Sequence, residues 1–352
     1  MPADTAAERK PRVLHLPARE HTEKVFTPES WARLQAAFEV TRNESDRDLT
    51  EERIRSLIGG HDALVTGWAA PASGGPPPIT PAIMEAADRL RIIAHSAGSV
   101  RRMLAQVWTD YIVPRRICVS TATVPIACNV AETALGLIIM SAKRLMDYAL
   151  HLRGTGGWRT PEIPVGDQYL TGATVGLVGA GDVGREVIRA LRPFAVRILV
   201  YDPYLAAADA HALQVESVEL NDLFARSDIV SLHAPSIPET DHMVGTEQLR
   251  LLRDGAVLVN TARGSLIDHD ALIREADGGR IRVALDVTTP EPLPADSPLR
   301  SMQNVILTPH VAGHGRFGHR RIGDATVNAL EDFFAGRPVI GAIDPARWER
   351  LA

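Results

Sequence analysis

Short apolar runs alternate with amphipathic stretches along almost the whole chain. Residues 13–16, 63–66, 91–94 and 117–120 are runs rich in Val, Ile and Ala, long enough for strands and too short for helices. Between them, 30–38, 50–58 and 80–87 repeat apolar residues at three- and four-residue spacing, which puts them on one helical face. Ser30 and Thr50 stand where N-caps are expected, and Glu51 and Glu52 add first-turn negative charge. A longer helical pattern covers 127–152, and an amphipathic helix is expected over 318–334. The second half repeats the alternation with six expected strands, 174–178, 196–201, 229–233, 256–260, 282–286 and 304–308. Apolar runs of this kind suit parallel strands buried on both faces by helices, so an α/β architecture is predicted. The Gly- and Pro-rich stretches 67–78 and 154–166 are expected to be surface connections.

One strand-to-helix junction carries chemistry. The run 174–178 ends in Gly179-Ala-Gly181-Asp182-Val183-Gly184 and passes into Arg185-Glu-Val-Ile-Arg-Ala-Leu191. The next run, 196–201, ends at Asp202, 23 positions after the first glycine. A strand, a tight glycine turn, a helix and an acid at this distance form the dinucleotide-binding fingerprint. One glycine makes the turn, one admits the pyrophosphate, and one packs helix on strand. The pyrophosphate then meets unpaired N–H groups at a helix N-terminus. Asp202 should accept bonds from the ribose hydroxyls and repel a 2′-phosphate, so NAD is expected over NADP.

Three later segments complete the chemistry. They are Asn260-Thr-Ala-Arg263-Gly, Asp286-Val-Thr-Thr-Pro-Glu291-Pro and Thr308-Pro-His310-Val-Ala-Gly313. Each begins near the C-terminal end of an expected strand, the edge at which open α/β sheets bind ligands. Reduction of a 2-keto acid needs a cation for the carboxylate and carbonyl, and an acid for the forming alkoxide. Arg263 offers a planar fork for paired oxygens. His310 is the side chain that exchanges protons near neutrality. Glu291 can bond the other imidazole nitrogen, stabilise imidazolium and raise the histidine pKa.

Composition narrows the setting. At 352 residues the chain is long enough for about two domains. A net charge of −5 argues against a nucleic-acid surface. Basic positions are 35 Arg and 3 Lys, so arginine abundance alone says little about anion binding. Cys118 and Cys128 lack metal-ligand spacing and are expected to be reduced thiols, with no metal site. The longest apolar stretch, 134–140, is too short to span a bilayer, and residues 1–12 are polar, without the apolar run of a signal peptide. A cytoplasmic location with no membrane partner is therefore expected.

With these motifs the chain resembles the D-isomer-specific 2-hydroxyacid dehydrogenase family, over about residues 63–338. The resemblance implies two Rossmann/flavodoxin-like doubly wound parallel-sheet domains with the active site in the cleft between them. A discontinuous substrate-binding domain would take 1–125 and 316–352, and an NAD-binding domain 126–315. It implies catalytic roles for Arg263, Glu291 and His310. It further implies that His233, Ala234 and Pro235 line the cofactor and that Thr261, Ala262 and Asp286 lie near the nicotinamide. It also implies a homodimer through 127–152, whose apolar face holds Ala131, Leu135, Ile138 and Ile139, and the following arm 154–166. Family members often hold the substrate carboxylate on a glycine-rich loop ending in Asp-Asn. Here that segment reads His95-Ser-Ala97-Gly98-Ser99-Val-Arg101-Arg102, so Ala97, Gly98, Ser99 and Arg101 are expected to touch substrate. Arg101-Arg102 and Arg316, Arg320 and Arg321 leave room for a dianion such as a phosphonate. Three readings therefore stand: a 2-keto acid reductase, a dehydrogenase of a dianionic substrate, and an NAD-sensing protein like the corepressors of this superfamily.

Overall fold

The computed structural model describes residues 9–68, 78–155, 157–158 and 170–351. Most of the expected loops 67–78 and 154–166, the first eight residues and the Arg316 side chain lie outside the described residues. The chain forms two compact units. One is Met1–Ile126 with His314–Leu351, and the other is Ala127–Gly313.

The first unit is built on five parallel strands: β1 (Arg12–His15), β2 (Glu39–Arg42), β3 (Ala63–Thr66), β4 (Ile92–His95) and β5 (Cys118–Thr121). Their order is β2-β1-β3-β4-β5, a doubly wound arrangement. Successive side chains alternate between faces. Val13, Ala63, Val65, Ile92 and Ala94 enter one core, and Leu14, Leu64, Ile93 and Val119 enter the other. Each large aliphatic side chain buried in this way contributes about 1.5–3 kcal/mol. Helix Arg316–Phe334 closes the first core with Ile322, Val327 and Leu330.

Strand β2 was not expected from the sequence, because Glu-Val-Thr-Arg is a half-exposed edge strand without an apolar run. The cap at the following expectation also moves. Helix Pro28–Ala37 starts two residues before Ser30, and the Thr27 hydroxyl accepts the Ser30 N–H at 3.1 Å, with Pro28 in the first helical position. Thr50 does cap its helix, accepting the Arg53 N–H at 3.3 Å.

The second unit holds seven parallel strands: β6 (Thr174–Val178), β7 (Arg197–Tyr201), β8 (Glu216–Ser217), β9 (Ile229–Leu232), β10 (Val257–Asn260), β11 (Arg282–Leu285) and β12 (Val305–Leu307). Their order is β12-β11-β10-β9-β6-β7-β8. The chain reverses direction of progress between β6 and β9, which creates the switch point where such sheets bind ligands. The seventh strand, β8, has two polar residues and gives no periodic signal in the sequence. Leu199, Val230, Leu258 and Val283 fill one face, and Val175, Leu177, Val200 and Val259 fill the other.

The expected helix over 127–152 is two helices, Thr123–Ala142 and Leu145–Thr155. Arg144, at φ 54°, breaks them apart, and its guanidinium holds Asp147 at 2.7 Å. Asp147 also takes Arg282 at 2.5 Å. The expectation of a short apolar stretch is corrected too. Thr123–Ala142 is long and apolar enough to cross a membrane by length and composition, with a mean hydropathy of 1.6. Ala131, Ala134, Leu137 and Ile138 of this helix are buried in the core of the second unit, with Leu135 and Ile139 packed against it. Of the apolar face expected to serve a dimer, Ala131 and Ile138 are buried within the unit, and Leu135 and Ile139 are partly buried.

Candidate active site

Strand β6 delivers the glycine turn. Gly179 has φ +101°, and a side chain there would press on the backbone of His233 and Ala234 at 2.9 Å. A Cβ on Gly184 would collide with the Gly179 carbonyl, so this glycine lets helix Asp182–Leu191 sit against the turn. A Cβ on Gly181, by contrast, would meet nothing within 4 Å. That pattern is what a dinucleotide requires: two glycines needed for packing and one facing open space for the pyrophosphate. Asp182 and Val183 form the first turn of the helix, whose leading N–H groups are free for an anion.

Asp202 stands just past β7. Its carboxylate accepts the Ala180 N–H at 2.8 Å and the Tyr204 N–H at 2.9 Å. The two backbone bonds fix the carboxylate beside the glycine turn and leave lone pairs for ribose hydroxyls. His233, Ala234 and Pro235 follow β9, and the first two back the same turn. The His233 ring is buried with neither nitrogen bonded, and burial pulls its pKa down to about 4, so it is a neutral group.

Asn260, at the end of β10, shapes the segment after it. Its side chain accepts the Ala262 N–H at 3.0 Å and donates to the Arg263 carbonyl at 2.8 Å. Thr261 and Ala262 are held in this turn. Arg263 lies half-buried and donates to the Ala262 carbonyl at 2.7 Å, leaving most of its fork for a ligand. Burial pulls the guanidinium below its ordinary pKa, and the Glu291 carboxylate acts in the opposite direction. Glu291 is therefore close enough for its charge to act on Arg263.

His310 Nδ1 lies 2.6 Å from Glu291 Oε1. The carboxylate accepts from Nδ1, which leaves Nε2 as the nitrogen for a substrate. Both side chains are partly open to solvent, and they border a cavity of about 340 Å³ that Asp286, Leu307 and Pro309 also line. Asp286 does more than the sequence implied. Its buried carboxylate accepts the Thr308 hydroxyl at 2.6 Å and the N–H groups of Val311 and Ala312 at 2.9 and 2.8 Å. It thus holds the histidine turn on both sides. Neither Thr308 nor this role had a local signal, since the partners are more than twenty residues from Asp286.

The expected substrate loop belongs to the first unit. Ala97 is buried, and its carbonyl accepts the Ala122 N–H at 2.9 Å. Gly98 and Ser99 follow it. Arg101 does not offer its charge to a ligand there. Its guanidinium donates to the carbonyls of Trp348, Glu349 and Leu351 at 3.3, 2.7 and 3.1 Å, and to the Glu349 carboxylate at 2.8 Å. Trp348 stacks on Trp108 with centroids 3.8 Å apart. Arg101 is a clasp for the C-terminal turn, and the sequence reading of it is corrected. The same unit gathers an aromatic group that the sequence did not reveal. Trp68 meets His21, His314 and His319 with ring centroids 5.1, 5.9 and 5.5 Å away.

Comparison with known proteins identifies the family of the chain. The family model described as "D-isomer specific 2-hydroxyacid dehydrogenase, NAD binding domain" matches residues 135–312. The chain belongs to that family. Its second unit is the NAD-binding domain. A glyoxylate reductase of Korarchaeum cryptofilum is 36% identical over 310 residues, which cover 87% of this chain and 89% of that protein. A D-3-phosphoglycerate dehydrogenase of Methanocaldococcus jannaschii is 32% identical over 300 residues, 85% of this chain. The match covers 54% of that protein, so the chain spans about half the length of this relative. Among solved structures, the apo D-mandelate dehydrogenase of Rhodotorula graminis superposes with a TM-score of 0.79 at 25% identity, covering 96% of this chain and 98% of that one.

Proposed function

We propose that this protein interconverts a 2-keto acid and a D-2-hydroxy acid by hydride transfer with NAD(H). The observation that carries the reading is the 2.6 Å contact between His310 Nδ1 and Glu291 Oε1, in the same unit as a glycine turn that fits a dinucleotide. In reduction, Arg263 pairs with the substrate carboxylate and polarises the carbonyl. Bound reduced nicotinamide supplies the hydride that the carbonyl carbon accepts. His310, as imidazolium, gives its Nε2 proton to the developing alkoxide, and Glu291 holds the ring in place and balances its charge. In oxidation the same nitrogen takes the proton back. Asp202 favours NAD over NADP, because a 2′-phosphate would face a fixed carboxylate.

A simple 2-keto acid suits the site better than a dianion, because the donors of Arg101 are committed to the C-terminal turn. Self-association is part of the proposal, resting on Leu145, Leu150 and Leu152. These are 49%, 55% and 45% exposed on helix Leu145–Thr155, and a second copy would cover them. Light scattering that gives a monomer mass at micromolar concentration would remove that part.

The deciding experiment is turnover of NADH with a panel of 2-keto acids, phosphonates and dicarboxylates. Reduction of a monoanionic 2-keto acid to the D-product is expected. Tight NADH binding with no turnover on any compound would instead indicate an NAD-sensing binding protein.

A further inference from the structure

Arg263 and Glu291 sit on two different loops, and one side chain outside the reacting groups ties those loops together. His269 is the first residue of helix His269–Ala276. Its Nδ1 lies 3.1 Å from the Ile267 carbonyl oxygen, and its Nε2 lies 3.2 Å from the Thr289 amide nitrogen. The two contacts fix the tautomer. A carbonyl can only accept, so Nδ1 carries the proton. The Thr289 N–H can only donate, so Nε2 presents a lone pair. A proton on Nε2 would face the amide hydrogen and break the second bond.

Shape supports the same tie. A Cβ on Gly264 would collide with the backbone of Thr288 and Thr289, so the residue after Arg263 packs directly on the loop before Glu291. Thr289 is two residues from Glu291, whose carboxylate holds His310. The ring is half-buried, and burial lowers its pKa. The Ile267 carbonyl, Asp268 and Asp270 oppose that shift, and His242 reinforces it.

We infer that His269 is a positioning residue for the dehydrogenase reaction: as a neutral imidazole it pins the loop 286–292, so that Glu291 keeps its oxygen on His310. The inference rests on the proposed function and extends it to a group that touches neither substrate nor cofactor. It also gives the site a second histidine with an opposite requirement. His310 must be charged to reduce, whereas His269 must be uncharged to hold the loop.

The test compares His269→Leu, which removes the acceptor, with His269→Gln, whose amide oxygen can replace Nε2 as acceptor for Thr289. Hydrogen exchange of a peptide covering 286–292 is expected to quicken in the leucine variant and to stay near the parent in the glutamine variant. The leucine variant should lose kcat by on the order of 10- to 100-fold while KM for the keto acid changes less than about twofold. Combined with Glu291→Gln it should add almost nothing, because both changes act on one contact. The parent should lose activity on the acid side as His269 takes a proton, and in His269→Gln that limb should move to lower pH, where other groups set it. Unchanged exchange in His269→Leu, or an undiminished further loss in the Glu291→Gln background, overturns the inference. If the leucine variant does not fold, the glutamine variant decides, since an acid limb left at the parent's pH there also overturns it. If the parent reduces none of the keto acids, the proposed function falls, and the exchange comparison still decides whether His269 holds the loop.

Discussion

The backbone N–H of His310 donates to the backbone carbonyl of Asp286 at 2.8 Å, and His310 adopts a left-handed φ of 53°. Non-glycine residues seldom take that conformation, and it persists only where the surroundings enforce it. Here they do, because the Asp286 carboxylate grips Thr308, Val311 and Ala312 on either side of the histidine. Strain at the histidine proposed to transfer the proton is held by a buried acid on the neighbouring strand end.

Replacing Asp286 with Ala should therefore damage both stability and turnover. Three donors would lose one buried acceptor, at a cost on the order of 3 kcal/mol. Thermal melting should fall by several degrees, and kcat should fall with it even well below the melting range. A variant with full activity and a lowered melting temperature would show that the grip serves the fold alone.

His310→Ala removes the proposed proton donor, and kcat should fall by on the order of 10²–10⁴ while NADH binding, followed by fluorescence, is retained. Glu291→Gln keeps the shape and removes the charge beside the imidazole. In reduction kcat should then fall by on the order of tenfold, and an unchanged kcat would show that the 2.6 Å contact has no part in turnover.

Asp202→Asn removes the charge expected to exclude a 2′-phosphate and keeps one backbone-anchoring oxygen. The preference for NADH over NADPH in kcat/KM should shrink by at least about tenfold. An unaltered ratio would place the discrimination elsewhere.

Arg101→Ala should change KM equally for mono- and dianionic substrates, because its donors point at Trp348, Glu349 and Leu351. The expected effect is a looser C-terminal turn, read as faster proteolytic trimming of that end. A selective loss for dianions would return Arg101 to the substrate site.

Buried histidines set the response to acid. His15 is fully buried against Phe26 and Trp31, with neither ring nitrogen bonded. Burial, with smaller contributions from His21 and Arg42, lowers its pKa from 6.5 to about 3. The unfolded chain takes up that proton below the ordinary value, and the folded chain does not until about 3. Unfolding thus binds a proton within that window. Stability is unaffected above it and falls as pH drops through it, by up to about 1.4 kcal/mol per pH unit. His15→Leu should reduce the drop in melting temperature between about pH 7.5 and about pH 5. An equal drop in parent and variant would show that His15 is not a source of it.

What the sequence revealed and what it hid divide along one line. The glycine turn, Asp202 and the strand cores are local patterns, and each is legible because a strand, a turn and a helix leave their signatures within about thirty residues. Arg263, Glu291 and His310 could be singled out as candidates because each follows its own strand end. Arg101 was misread because its partners lie 247 to 250 residues away. The break at Arg144 was missed because its neighbours are helix formers, and the break goes with ion pairs to Asp147, which Arg282 shares. The tie made by His269 was invisible for a similar reason, since nothing near it in the chain names Thr289 as its partner.

The discontinuous first unit also orders events on the ribosome. Its sheet strands all emerge before Ile126, but Ile322, Val327 and Leu330, which cover one face of that sheet, are made only after the entire second unit. The second unit is continuous from Ala127 to Gly313 and can acquire its tertiary structure while synthesis proceeds. The nascent first unit must wait through that interval with Val13, Val65 and Ile92 uncapped by their last helix. A chain cut short before residue 314 would therefore carry the whole second unit and leave that face of the first sheet without Ile322, Val327 and Leu330.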